Sequence, residues 1–304
     1  MSTLALVNPK VSVLLASFNG ADWIEEQISS IMNQTNVNIH LTISDDQSND
    51  GTVEYLQQKQ THQSFTLLSA AKSGSAAQNF FRLLIEQDLT QVEYVAFSDQ
   101  DDIWLSQKLD IAIQAISLQK ADAYSSNVKA FWQDGRSLLI NKAQPQTNYD
   151  YMFESAGPGC TFVITQKLAT ELQTFLRDNR AICQSIALHD WFIYAFSRSK
   201  GYSWYIDPTP NLLYRQHDGN AIGANSGLKA IKARLVKLKQ GWYIQQILLI
   251  ANALGYQDKI PLQRVRRLNI FDRVFLAASA HQFRRRLRDR FAFALFILFL
   301  ARKQ

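Results

Sequence analysis

VEYVAFSDQDDIW, residues 92–104, is the stretch that decides the fold. Val92–Phe97 is an apolar run of strand length. Three carboxylates, Asp99, Asp101 and Asp102, follow it within four positions. A buried strand that ends in acids puts hard oxygen ligands at the carboxyl edge of a sheet, where open α/β sheets bind ligands. Carboxylates this close repel one another unless a cation or protons relieve them. A divalent metal carrying a phosphorylated substrate fits such a cluster. The plainer alternative is a solvated acidic turn that caps the next helix, since Asp is common in both places.

Outward from this stretch, the first half alternates strand and helix patterns. VSVLLAS (Val11–Ser17) reads as a buried strand and Ala21–Asn33 as a helix, with Trp23, Ile24, Ile28 and Ile31 on one side. Ile39–Ser44 is a second strand ending at Asp45 and Asp46, Gly51–Lys59 a helix, FTLLS a strand, and Ser75–Glu86 a helix. Leu105–Leu118 is helical again. This βαβα rhythm predicts a Rossmann-like, mostly parallel central sheet flanked by helices. Right-handed crossovers bring the strand ends to one rim. Beyond Tyr124 the pattern is irregular, with strands expected at Val128–Trp132, YSWYID and NLLYRQH, a glycine turn leading into a strand at Gly157–Thr165, and helices at Gln166–Arg177 and His189–Ser199.

Charge divides the chain. Residues 1–228 hold 15 Lys+Arg against 23 Asp+Glu, whereas residues 229–304 hold 17 against 3. The net charge of +6 is therefore a property of the tail, and the acidic balance of residues 1–228 argues against a nucleic-acid binder. Two cysteines, Cys160 and Cys183, make neither a disulfide framework nor a Cys-rich zinc site, and a reducing compartment is the simpler reading. The amino end lacks a basic segment followed by a long apolar core, so no signal peptide is expected.

Two acidic clusters, SDDQSNDGT (44–52) and SDQDDIW (98–104), follow separate strands and are expected to face one cleft. Asp45 suits a nucleobase imide N–H, Asp99 a ribose hydroxyl, and Asp101 a metal, with Asp102 as second ligand or support. Ser48 and Asp50 read as caps of the helix opening near Thr52.

ASFNG after the first strand, SDDQSNDGT after the second and SDQDDIW after the fourth together resemble family 2 glycosyltransferases of the GT-A fold, over about residues 10–225. With GPGCTF, HDWF and YRQH downstream, the chain is similar to the bacterial rhamnosyltransferase-like branch, whose members build lipopolysaccharide, O-antigen or capsule. The resemblance implies a nucleotide-sugar donor, a divalent metal (Mn2+ or Mg2+) and inversion at the anomeric carbon. Deoxythymidine-diphosphate rhamnose (dTDP-rhamnose) is the donor expected first, and a uridine-diphosphate hexose second.

Residue by residue, the resemblance puts Ser17, Phe18 and Asn19 beside the base. Phe18 either stacks on it or is an ordinary loop aromatic. Asp45 matches the base-reading acid, and Asp99 and Asp101 match the DxD pair with Gln100 between them. Trp104 packs under the loop or touches sugar. Asp190 matches the catalytic base, where relatives carry Glu-Asp and this chain has His189-Asp190; His189 and Trp191 orient it or meet the acceptor. Gly159 belongs to a loop beside the phosphates and acceptor. Arg215 neutralises phosphate, and His217 is a metal ligand or a pyrophosphate contact. Asp218 stands where many relatives have Gly. A nucleotide-sugar hydrolase or a silent glycan-binding scaffold would share parts of this pattern; donor turnover with and without acceptor separates them.

The tail from residue 228 reads as a helical, basic extension of the catalytic domain, residues 1–227. Leu228–Gly241 is an amphipathic basic helix, followed by RVRR (264–267) and HQFRRRLRDR (281–290). The apolar run Phe291–Ala301 rises about 16 Å as a helix, too little for a hydrocarbon core of about 30 Å. Arginine beside a short apolar helix suggests an anionic leaflet. The expectation is a peripheral protein on the cytoplasmic face of the bacterial plasma membrane, acting on a lipid-linked acceptor. A helix packed on the catalytic domain, or a homodimer through these helices, is the alternative.

Overall fold

The computed structural model describes residues 8–61, 64–217 and 241–300. At its centre is a seven-stranded sheet in the order β10-β6-β9-β4-β1-β2-β3. Its strands are β1 (Lys10–Ser17), β2 (Asn38–Asp45), β3 (Phe65–Leu67), β4 (Tyr94–Ser98), β6 (Ala123–Ser126), β9 (Val163–Thr165) and β10 (Trp204–Asp207). Six run one way, and β9 alone runs against its neighbours β4 and β6. The mostly parallel sheet expected from the βαβα rhythm is thus present, with one antiparallel insertion.

Alternation along β1 feeds two cores, because successive side chains point to opposite faces. Leu14 and Ala16 pack with α3 (Ala76–Glu86), α6 (Gln166–Asp178) and α8 (His189–Ser199). Val11, Val13 and Leu15 pack with α1 (Ile24–Met32), α2 (Thr52–Gln60) and α4 (Lys108–Gln119).

A second sheet, order β5-β11-β7-β8, stands beside the rim. It comprises β5 (Ile103–Trp104), β7 (Val128–Phe131), β8 (Ser137–Ile140) and β11 (Leu212–Arg215). The helix expected from Leu105 starts only at Lys108, because Ile103 and Trp104 are drawn into pairing with β11. Two short helices, α5 (Asp150–Phe153) and α7 (Arg180–Cys183), complete this half.

The tail is helical where described: α9 (Trp242–Ala253), α10 (Ile260–Arg267), α11 (Ile270–Ala278) and α12 (Leu287–Phe299). Ile247, Ile250, Leu262, Leu276, Phe283, Phe293 and Ile297 are buried in the same core as Phe153 and Trp191. The division expected at 227/228 falls in undescribed residues, and helices α9 to α12 beyond it share the core of the catalytic half. Most of the expected amphipathic helix at 228–241 also lies outside the described residues, as does Asp218.

The two arginine clusters are partly turned inward, in keeping with the alternative of helices packed on the catalytic domain. Arg264 and Arg267 each hold Asp272 at 3.0 Å. Arg285 is buried, with one guanidinium nitrogen 2.9 Å from Asp150 Oδ2 and another donating to the Ser155 carbonyl at 2.7 Å. Its backbone N–H donates to Glu154 Oε1 at 2.6 Å. Arg284 donates to the Phe153 carbonyl at 2.9 Å. Arg284 and Arg285 are internal anchors of the tail.

Candidate active site

Strand register makes the rim. Ser17 at the end of β1 pairs with Asp45 at the end of β2, and Leu15 pairs with Ser98 at the end of β4. Because β9 runs the other way, the segment before it, Gly159–Phe162, returns to that same rim. Both acidic clusters therefore meet there, as the topology predicted, and the GPGCTF loop joins them.

The β1 and β2 loops are tied together by polar side chains. Ser17 Oγ donates to Asp45 Oδ2 at 2.7 Å, and Ser48 donates to Asp45 through both its backbone N–H and its hydroxyl, each at 2.7 Å. Asn19, in the left-handed region at φ 49°, accepts from the Asn49 N–H at 3.0 Å. Phe18 is 55% exposed. Asp46 accepts backbone N–H groups from Ser73 and Gly74, which makes it a loop anchor. Asp50 accepts from the N–H groups of Thr52 and Ala21 ahead of α2, close to its expected capping role. Ser48 does not cap the helix, because its hydroxyl is committed to Asp45 and to the Asn19 N–H.

Gln100, the middle residue of the DxD pattern, was not singled out from sequence. Its amide accepts from the Phe18 N–H at 2.7 Å and donates to the Phe18 carbonyl at 2.9 Å. It joins the base-side loop to the acid loop as a strand neighbour would. Gly20 leaves it room, since a Cβ there would overlap the Gln100 side chain.

The acid loop is closed from the other side by β11. Arg215 donates from its backbone to Asp102 Oδ1 at 3.3 Å and from Nε to the Asp101 carbonyl at 2.9 Å, and pairs with Glu26. This guanidinium, expected on phosphate, is thus engaged as a clamp across β11, the acid loop and α1. His217 Nε2 lies 2.7 Å from Asp101 Oδ2, and its ring stacks on Trp23 at 3.9 Å between centroids. Neither Trp23 nor Glu26 was legible as a partner, because their spacing in α1 looks like an ordinary helix face.

Behind the loop, Asp99, Asp102 and Cys160 bring ligand atoms within 4.8 Å of one another. Asp102 Oδ2 is buried without a hydrogen-bond partner. Burial, then Asp101 and Asp190, pushes the Asp99 carboxyl up to about 7. Burial likewise raises Asp102 and the Cys160 thiol well above their ordinary values. An orphaned buried carboxylate oxygen among acids that resist ionising is what a cation would relieve. The cluster is therefore consistent with a metal site. A protonated thiol is a poor partner for a hard cation. Asp101 and His217, only 11% and 16% exposed at their side chains, form an adjacent N/O pair without that drawback.

Trp104 is buried beneath the loop, with Lys108 Nζ 3.5 Å from its ring centroid; this fulfils the packing reading. Burial lowers the Lys108 ammonium to about 7, against the attraction of Asp102 and Cys160.

Asp190 lies in the first turn of α8, where helix N–H groups favour negative charge. Burial lifts its carboxyl to about 6, opposed by the Trp191 N–H at 2.7 Å, Ser155 and Lys142. Its neighbour His189 faces Phe97 of β4 at 6.5 Å between ring centroids and lies against Gly159, which brings the head of α8 to the rim. His189 is wedged against Phe80, 3.9 Å between ring centroids, and burial holds it neutral with a pKa of about 3. A Cβ on Gly159 would collide with His189 Nε2, so that glycine is a packing requirement. Trp191 is buried, donates to the Tyr151 carbonyl at 3.0 Å and stacks on Tyr243 of α9. It is a buried support of the head of α8.

The glycosyl transferase family 2 model matches residues 12–165. The chain is 42% identical over 93% of its length to a "dTDP-rhamnosyl transferase RfbG" of Shigella flexneri, covering 99% of that protein. It is 25% identical over 82% of its length to an Escherichia coli undecaprenol-linked beta-1,3-glucosyltransferase, WfaP, covering 98% of it. In fold it resembles residues 1–349 of S. aureus TarS, with a TM-score of 0.52 at 16% identity, covering 95% of this chain and 88% of that one. A rim of acids at the ends of parallel strands, the family match over half the chain and a relative alike from end to end agree. The chain belongs to glycosyl transferase family 2 and is a nucleotide-sugar-dependent glycosyltransferase.

Proposed function

We propose that this enzyme transfers a sugar, with rhamnose from dTDP-rhamnose as first candidate, to a hydroxyl of a lipid-carried cell-surface glycan, with inversion at the anomeric carbon. The observation that carries the reading is the acid loop (Asp99, Asp101, Asp102) at the sheet rim, with the head of α8 that bears Asp190 packed beside it through His189 on Phe97 and Gly159. The rhamnose donor is supported by similarity to the S. flexneri protein over nearly its whole length. The uridine-diphosphate hexose alternative is supported by the glucosyltransferase relatives.

In this reading Ser17, Phe18, Asn19 and Asp45 border the base, and Asp99 meets the ribose. Asp101 and His217 would hold Mn2+ or Mg2+, and Asp102 supports the loop. When bound, the ion supplies Lewis-acid charge to the leaving diphosphate. Asp190 takes the proton of the acceptor hydroxyl as that oxygen attacks C1. The bond from C1 to the diphosphate oxygen breaks with its electron pair on the oxygen. A carboxyl near 6 is ionised at neutral pH yet more basic than a surface carboxylate, as general-base work requires. His189, neutral and locked between Phe80 and Gly159, fixes the head of α8.

No helix among the described residues is long and apolar enough to cross a membrane. The basic tail supports a peripheral location on the cytoplasmic face of the plasma membrane, where a lipid-linked acceptor is within reach. The test is a thermal-shift panel of nucleotide sugars with manganese or magnesium. One donor is expected to raise the melting temperature, and Asp101→Ala to lose that shift. No shift with any donor would count against the reading.

A further inference from the structure

Ten of the seventeen large hydrophobic side chains that stand exposed among the described residues belong to the tail helices. Ile270, Phe271 and Val274 form one stripe of α11, and Leu287, Phe291 and Leu295 recur every fourth residue along α12. All six are more than half exposed, Phe271 by 80% and Phe291 by 65%. The two helices pack on one another, and their opposite sides carry Leu276, Phe293 and Ile297 into the core. The outer stripes are therefore surplus to folding. Soluble monomers seldom leave so many large apolar groups together in water.

Charge indicates the occupant. Residues 241–300 hold ten Lys+Arg and three Asp+Glu. Two of those acids are already paired, Asp272 with Arg264 and Arg267, and Asp289 with Arg288. Arg266, near the end of α10, and Arg288, in the first turn of α12 and 76% exposed while Asp289 is shared with Arg284, stand open to solvent. A second copy docked on this face would bring two cation-rich surfaces together, whereas an anionic leaflet offers the opposite charge. The 13 residues of α12 rise about 20 Å, so the helix is too short to cross and suits the plane of the interface.

We propose that α11 and α12 form an in-plane docking face for an anionic bilayer, with Phe271 and Phe291 entering the acyl boundary and Arg266 and Arg288 meeting lipid phosphates. This deepens the membrane location proposed above and is independent of the donor, because its test uses neither donor nor acceptor.

The experiment is flotation of the full-length protein with vesicles of phosphatidylcholine, alone or mixed with phosphatidylglycerol, beside sedimentation velocity and thermal melting. Wild type is expected to float with the mixed vesicles, less so in high salt. Phe271→Ser with Phe291→Ser should weaken binding by about tenfold or more, since two buried aromatic side chains are lost, and leave melting unchanged. Arg266→Gln with Arg288→Gln should weaken binding to the mixed vesicles alone, and it answers the question even if the serine pair folds poorly. Undiminished flotation of either pair overturns the proposal, as does failure of wild type to float. A dimer that the serine pair dissociates, without vesicle binding, assigns the face to a second copy instead.

Discussion

His217 Nε2 lies 2.7 Å from Asp101 Oδ2, with the imidazole stacked on Trp23. The contact joins the end of β11 to the acid loop across more than a hundred residues of sequence. It sets a nitrogen and a carboxylate side by side where a cation on a diphosphate would need them.

His217→Ala is therefore expected to weaken manganese-dependent donor binding by about 10–100-fold, the usual cost of removing a group that orients or completes a metal site. Calorimetric titration of donor with and without manganese measures it. Equal affinity in the variant would remove His217 from the site.

The Asp190 base should show in the pH profile. Its carboxyl is raised to about 6 by burial, against Lys142, Ser155 and the Trp191 N–H; Asp99 is raised to about 7, and His189 stays neutral. The ionised form is the active one, so kcat should fall by about tenfold per pH unit below that value. The steady-state rate between pH 5 and 8 checks it. A rate that rises on acidification would contradict the assignment.

Gly159→Ala forces a methyl group into His189, which Phe80 prevents from retreating. Overpacking of this kind costs about 1–3 kcal/mol. A lowered melting temperature and a reduced kcat are expected, with donor affinity nearly kept, because the strain falls on the acceptor side. Melting curves and a kcat against KM comparison read the two effects.

Arg285→Met should be more severe. It takes the 2.9 Å guanidinium contact from buried Asp150, which keeps the Tyr194 hydroxyl and the longer pair with Arg198, and it frees the Ser155 carbonyl. Breaking a buried ion pair from one side costs about 3–5 kcal/mol. Urea unfolding measures this, and Arg288→Gln, on the exposed side of the same cluster, should be nearly neutral.

The parallel half of the sheet was legible because β1, β2 and β4 are short apolar runs that end in acids or turn residues. The positions of Asp45, Asp99 and Asp101 followed from that alone. The second sheet was not fully legible. β5 is two residues long and β8 is largely exposed, so neither carries a hydrophobic period. Gln100, Glu26 and Trp23 act through contacts remote in sequence, which no local pattern announces. The arginine run near 285 has the same limit. Composition shows a basic cluster, but only the fold shows that Asp150 and Glu154 are buried opposite it and turn two of its members inward.

The most direct test of the central claim is sugar transfer from dTDP-rhamnose to a lipid-linked glycan acceptor, comparing wild type with Asp190→Asn. Wild type should form product and consume donor only when acceptor is present. The variant should lose at least about 100-fold in kcat, the range of a general base, while binding donor as before. Equal transfer by Asp190→Asn, or equal donor consumption without acceptor, would contradict the account.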